Sequence, residues 1–545
     1  QLDFVRRGAA LDAAGRERMK EINARLSELT TVFGQNLLKE TNGFELVVTE
    51  EADLAGLPDN MLGSARAKAQ SRGLEEAWVF GLDRGTFEGF MTFADDRELR
   101  KQMYQAYRVR GGQGGATDNR DELSEIAHLR AEAAQLLGYD NHAAYQLETR
   151  MAKTPAAAEN FLLEVWQPGL ARAEQELAEM QAIVQSEGHD FLIEGHDWWY
   201  YAEKLRQQKF ALNEGELKPY FELSNVRRGA FYVAERLFGL TFEPLSDVPQ
   251  WNPVVQAYTV HGPDGAFLGV YMTDDYARDS KRGGAWMSTY RDASDIRGVV
   301  VRPIVTNNLN IAVPAAGEPT LLTFDQVETL FHEFGHALHG LMTNARYPRF
   351  SGTSGSPRDF VELPSQFMEH YATEPEVLAV YAKHVETGEL IPVELVEKVR
   401  AASTHNQGFK TTEYIAASLL DLKWHDLAPK QAAAVEDVVK YENDVLTAYG
   451  KPGMIETRYR SPYFSHIFSG GYSAGYYAYL WAEILDADGF TAFKETGDIF
   501  NPELAQRLRE NVYEAGAVRD ADVLYRQFRG QEPTIGPLLK IRGLN

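Results

Sequence analysis

From Leu11 to about Leu192, apolar residues recur at three- and four-residue intervals among many Ala, Leu, Glu, Arg and Gln. That spacing predicts amphipathic helices, most clearly over Arg16 to Val32, Asp121 to Leu137 and Ala156 to Val184. Connecting stretches are short and polar, with Gly111 to Asp118 the clearest glycine-rich break. Between Tyr258 and Ile311 the period changes. Residues 257–260, 267–272 and 299–305 read as strands, with Gly262-Pro263-Asp264-Gly265 as a turn. A small sheet is therefore expected just before a strongly periodic helix. In that helix Val327, Leu330, Phe331, Phe334, Leu338 and Leu341 recur at helical spacing, and Thr323 with Gln326 suits a capping box. Beyond Glu362 helical spacing returns as far as the C-terminal tail. There is no repeat of fixed period and no low-complexity run. The pattern as a whole predicts a mainly α fold with a small β-sheet next to one helix.

That helix carries His332-Glu333-Phe334-Gly335-His336, two imidazoles four residues apart on one face with a carboxylate beside them. Such spacing is what a catalytic zinc site needs. A catalytic zinc takes three protein ligands and leaves one position open, so a third ligand is required. Position 342, ten residues after the first histidine, is Met342, which removes one known arrangement. His339 lies close to the face of His332, but ligands drawn from one helix would leave the ion poorly enclosed. Glu362, Gln366 and Glu369 follow i, i+4, i+7 spacing on a second helix, and Pro364 puts Glu362 in its first turn. Glu362 would complete a His-His-Glu set, leaving Gln366, Glu369 or Asp359 to orient the ligands.

Charge and composition narrow the partners. The 545 residues carry 79 acidic and 55 basic side chains, a net charge of −24, which disfavours nucleic acid and anionic membranes. No apolar run is long enough to span a bilayer, and no signal peptide is visible at the N-terminus. The chain begins at Gln1, so a leader could have been lost. With no cysteine present, His and carboxylate are the only strong zinc ligands, and an oxidising compartment such as the bacterial periplasm is favoured slightly over the cytoplasm.

Amide hydrolysis also needs a donor for the developing oxyanion, and a phenol or imidazole can serve. The segment His466 to Trp481 offers both. If a helix starts just after Gly471, Tyr472, Tyr476 and Tyr479 share one face, with Ser469-Gly470-Gly471 as a permissive loop beside His466. An aromatic stripe alone is more often core than active site. If the enzyme acts from chain ends, a donor must also hold a terminal carboxylate, and Arg458, Arg460 and Tyr476 are candidates.

With these segments in view, the chain resembles the thimet-oligopeptidase family of zinc metallopeptidases, most closely its bacterial peptidyl-dipeptidase branch. The match runs through His332 to Gly340, Ser351 to Gln366 and His466 to Trp481, supported by Lys218 to Leu223, Tyr276 to Met287 and Ala315 to Pro319. The resemblance implies a helical, bilobal fold with a deep central channel that admits short unfolded peptides. It implies one Zn2+ on His332, His336 and Glu362, Glu333 as general base, and His466, Tyr472 and Tyr479 touching substrate or oxyanion. It further implies release of dipeptides from free C-termini by a monomer. An endo-acting oligopeptidase and an inactive peptide-binding protein are the alternatives. Residues 1–95 would be an N-terminal helical region and 96–545 the catalytic region. Two departures stand out: the loop around Ser354-Gly355-Ser356 reads one residue longer, and the family's further N-terminal helices are missing, leaving one channel wall incomplete or supplied by a separate fragment.

Overall fold

Helices account for 57% and strands for 9% of the protein, so the mainly α expectation holds. The computed structural model describes every residue except Gln1, Asn213, Asp279, Arg282, Gly283, Ala315 and Ala316, and every side chain among them except those of Asn60 and Glu214. The stretches Tyr276 to Met287 and Ala315 to Pro319 thus lie partly outside the described residues. The chain folds into two compact units: one holds residues 1–209, 405–477 and 544–545, the other 210–404 and 478–543. Among the described residues no helix is long and apolar enough to cross a membrane.

In the first unit the three periodic segments form the helices Ala13–Gly43, Arg120–Leu136 and Pro155–Ser186. Asp12 and Thr154 cap two of them by accepting the amides of Gly15 and Ala157, each worth about 1 kcal/mol. The glycine-rich break falls between helices that end at Arg108 and begin at Arg120. The chain returns in the helix Gln407–His425, whose first amides are taken up from across the packing interface. Glu176, 2% exposed, accepts Gly408 and Phe409 N–H at 3.1 and 3.0 Å, placing a carboxylate at a positive helix end.

The second unit is built on a five-stranded sheet of β1 (Thr241–Pro244), β2 (Gln256–His261), β3 (Phe267–Tyr276), β4 (Trp286–Arg291) and β5 (Ile304–Ile311). The order is β1-β2-β3-β5-β4; only the β3–β5 pair is parallel. The run 299–305, expected as one strand, is split in two. Val299–Val301 pairs with Ser294–Ile296 in a separate hairpin, and β5 begins after Pro303. Proline has no N–H to continue a ladder, while its carbonyl still accepts Val270 N–H at 3.0 Å.

Against this sheet lies the helix Phe324–Met342. Phe334, 1% exposed, packs its ring 5.6 Å from Phe231, 5.6 Å from Phe242 and 5.7 Å from Tyr271. Burying such a ring contributes roughly 1.5–3 kcal/mol and fixes the helix's rotation. The neighbouring Gly335 meets a second helix, Leu363–Ala372: a Cβ there would lie 2.3 Å from the Pro364 carbonyl oxygen and 2.6 Å from Ser365 Cα. Only a residue without a side chain allows this approach. Gly335→Ala should therefore destabilise the protein by roughly 1–3 kcal/mol through forced separation of the helices, despite alanine's higher helix propensity. A lowered denaturant midpoint together with weakened metal binding is the expected outcome.

Candidate metal centre

The capping box forms as the sequence suggests, with Thr323 Oγ1 accepting Gln326 N–H and Gln326 Oε1 accepting Thr323 N–H. With the helix start fixed and Phe334 turned to the sheet, His332 and His336 fall on one face, ring centroids 5.0 Å apart. Glu362 reaches them from the N-cap of Leu363–Ala372, where Pro364 supplies the preset first turn. Its Oε2 lies 3.5 Å from His332 Nε2 and 3.1 Å from His336 Nε2. The three donor atoms all lie within 4.8 Å of one another. His339 is wholly buried, does not join them, and is pushed by burial down to about 3.

Supporting contacts come from the same two helices. Glu369 Oε1 lies 2.5 Å from His332 Nδ1, which turns Nε2 toward Glu362. Ser365 Oγ donates to the Glu362 carbonyl at 2.8 Å and approaches its Oε2 at 3.3 Å. Gln366, expected beside the ligands, instead donates from Nε2 to the Tyr479 carbonyl at 3.3 Å. That bond ties Tyr479 to the helix bearing Glu362. Asp359 is fully buried.

The donor set suits a divalent cation. Glu362 is 8% exposed, and a carboxylate removed from water between two imidazoles requires either a proton or a metal ion to balance it. Burial lowers the pKa of His332, yet its bonds to Glu362 and Glu369 hold it well above the usual imidazole value, and that same negative field would retain a dication. Glu333 is 5% exposed, and its Oε2 makes no hydrogen bond to a described residue. Burial raises its pKa above the ordinary carboxylate value.

The tyrosine segment departs from expectation. No helix starts after Gly471; residues 473–477 form turns and the helix begins at Ala478. Ala474 has φ +48°, a left-handed conformation costing on the order of 1 kcal/mol for an L residue, so Tyr472, Tyr476 and Tyr479 do not line one helical face. His466, Tyr472 and Tyr476 instead gather within the first unit, the two phenol rings 5.9 and 5.3 Å from the imidazole. Burial, then Arg458 and Arg84, lower His466 to about 4, so it is neutral at pH 7 and can donate one N–H. Tyr476 is 3% exposed and Tyr472 half-buried.

Neither arginine candidate is simply solvated. Arg460 pairs with the fully buried Glu442 at 2.6 Å. Arg458 pairs with Glu413 at 2.9 Å, keeps a third of its side chain exposed, and is joined near His466 by Arg84, whose Nη1 donates to Tyr459 Oη at 3.3 Å. Arg84 lies more than 370 positions earlier in the chain, and no local signal in the sequence links it to this segment.

A set of His, His and Glu donors beside an unbonded second carboxylate is the equipment of metal-dependent hydrolases. Comparison with known proteins makes the class specific: the model of peptidase family M3 matches residues 90–544, and the chain belongs to that family of metallopeptidases. It is 41% identical to dipeptidyl carboxypeptidase of Escherichia coli (strain K12), over 99% of this chain and 79% of that one. It is 37% identical to oligopeptidase A of the same organism, over 99% and 80%. Among solved structures, a putative oligoendopeptidase F (TM-score 0.53, 15% identity, 98% of this chain and 76% of that one) and PZ peptidase A with an inhibitor (0.52, 14%, 98% and 76%) share the fold. Glu369→Gln should lower metal affinity about 10- to 100-fold while leaving the fold intact, because His332 loses the anion that orients it. Competition against a chelator of known affinity measures this directly.

Proposed function

We propose that this chain is a zinc-dependent peptidyl-dipeptidase that removes dipeptides from the free C-termini of short, unfolded peptides. The observation carrying the chemistry is the convergence of His332, His336 and Glu362 beside the buried, unbonded carboxylate of Glu333. Two imidazoles and one carboxylate with an open position suit zinc among the common divalent ions. The dipeptidyl assignment is supported by the 41% identity to the Escherichia coli dipeptidyl carboxypeptidase across 99% of the chain.

When bound, zinc supplies Lewis acidity toward the peptide carbonyl and makes water easier to deprotonate. Glu333 takes the proton of the attacking water and returns it to the leaving amine, a role its burial favours by raising its proton affinity. Tyr479, placed through Gln366, donates its phenol hydrogen to the oxyanion. His466, neutral because it is buried and near Arg458 and Arg84, contributes a second neutral donor, and Tyr472 contacts the peptide. Arg458 anchors the terminal carboxylate. Tyr476 and Arg460 support that anchor from the same segment of chain, Arg460 through its pairing with Glu442.

A second reading, an endo-acting oligopeptidase, draws on the 37% identity to oligopeptidase A over the same span. One decapeptide, compared with a free and an amidated C-terminus, separates the two. The dipeptidase should release C-terminal dipeptides successively and lose roughly ten- to a hundredfold in kcat/KM on amidation, equivalent to about 1.5–3 kcal/mol of charge-assisted hydrogen bonding. Equal internal cleavage of both forms would establish the endo-acting enzyme. For the chemistry itself, Glu333→Gln should bind zinc normally and turn over about 10²- to 10⁴-fold more slowly, since an amide cannot accept the water proton. Near-normal turnover would show that another group is the base.

A further inference from the structure

The loop bearing His466, Tyr472 and Tyr476 is gripped by a buried polar chain that no motif of the sequence marks. Asp421, fully buried on the helix Gln407–His425, accepts three consecutive backbone amides: Ala474 N–H on Oδ1 at 2.8 Å, and Gly475 and Tyr476 N–H on Oδ2 at 2.8 and 2.9 Å. Oδ1 also lies 2.8 Å from His425 Nδ1. On its other side His425 presents Nε2 to Arg130 Nη1 at 2.9 Å. A guanidinium only donates, so Nε2 is the acceptor and the imidazole proton sits on Nδ1, directed at Asp421. Arg130 Nη1 donates as well to the carbonyl of Ile467, the residue after His466, at 2.6 Å. Burial lowers this guanidinium to about 10, leaving it charged at neutral pH.

One chain of groups thus holds the loop at both ends. Two further ties come from Ser473 Oγ, 2.9 Å from His142 Nε2 within the loop, and from Tyr414 Oη, which donates to the Tyr476 carbonyl at its end. Two of the amides taken by Asp421, those of Gly475 and Tyr476, are ones that a helix starting after Gly471 would have used, and Ala474 beside them is held left-handed. A buried cation, imidazole and carboxylate contribute little stability that a well-packed apolar trio would not match. What an apolar trio could not do is select which loop amides point inward, and hence where the intervening side chains point.

We propose that Asp421, backed by His425 and Arg130, is a positioning residue for peptide hydrolysis, fixing the loop so that His466 and Tyr472 meet the substrate. This rests on the reading above that those two side chains contact the peptide. Asp421→Asn preserves volume but replaces an acceptor by a donor, so at least one inward amide or His425 Nδ1–H faces another N–H. Shifting reactive groups by about 1 Å typically costs on the order of a hundredfold, and a loss of roughly ten- to a hundredfold in kcat is expected here, with metal content close to normal and kcat read well below a lowered thermal midpoint.

The experiment is a double-mutant cycle on the full, zinc-loaded chain with Asp421→Asn and His466→Ala, reading kcat, KM, metal content and unfolding midpoint. If Asp421 acts through the loop, each single variant lowers kcat and the loss in the double variant falls well short of the product of the two single losses, the remainder being the share that passes through Tyr472. Multiplying losses, or Asp421→Asn within twofold of normal, would overturn the proposal while leaving the loop's role standing. His466→Ala with unchanged kcat would overturn the reading of the loop and the clamp's role with it. Should Asp421→Asn fail to fold, His425→Asn serves instead, since it retains a donor toward Asp421 but cuts the link to Arg130. It should show a smaller loss with the same non-additivity, and normal kcat in that variant would remove His425 and Arg130 from the proposal.

Discussion

The candidate metal centre depends on how closely two helices approach at Gly335. Phe324–Met342 brings two imidazoles and Glu333; Leu363–Ala372 brings Glu362 at its N-cap, Ser365 beneath it and Glu369 two turns on. Because the Pro364 carbonyl occupies the space where a side chain at 335 would be, Glu362 Oε2 comes within 3.1–3.5 Å of both imidazoles. A separation larger by the width of a methyl group would carry the carboxylate out of a shared coordination shell, whose metal–ligand distances are about 2.0–2.2 Å. Ligand convergence and the Glu369 bond to His332 both follow from this one contact.

Burial then sets the chemistry of each group. The buried Glu362 carboxylate cannot be left without a balancing charge, and with the partly exposed Glu369 it creates a field that retains a proton or a cation. Glu333 sits at the edge of that field with Oε2 unbonded, where burial favours its protonated form. His466 is driven the other way. Burial and two neighbouring guanidinium groups keep it neutral, so it can donate without adding charge. Glu333 and His466 are thus shifted in opposite directions by one cause, since burial disfavours the charged form of each.

Buried carboxylates that capture backbone groups recur within the first unit. Glu176 takes the free amides at the start of Gln407–His425, and Asp421 near the end of that helix takes three amides of the tyrosine loop. One helix is therefore anchored by a buried carboxylate and in turn anchors a loop with another. The chain reaches this arrangement by leaving the first unit after residue 209 and returning at 405, so residues distant in sequence become neighbours.

Local sequence determined a great deal. Helical and strand periods placed the three early helices and the core of the sheet, because burial on one face leaves its period in the residues themselves. The capping box, the pairing of His332 with His336, and Glu362 behind Pro364 were legible for the same reason: each rests on contacts between residues a few positions apart. Three features were decided only by tertiary structure. The tyrosine stripe is not helical: Asp421, more than 50 residues earlier, holds the amides of residues 474–476, and Ala474 between the tyrosines is left-handed. Gln366 serves Tyr479 rather than a metal ligand, and Arg84 joins Arg458 near His466, through contacts spanning over 100 and over 370 positions. Periodicity records which face of a segment is buried. It carries no record of which distant donor or acceptor will meet that face, since one buried polar group satisfies an amide as well as another.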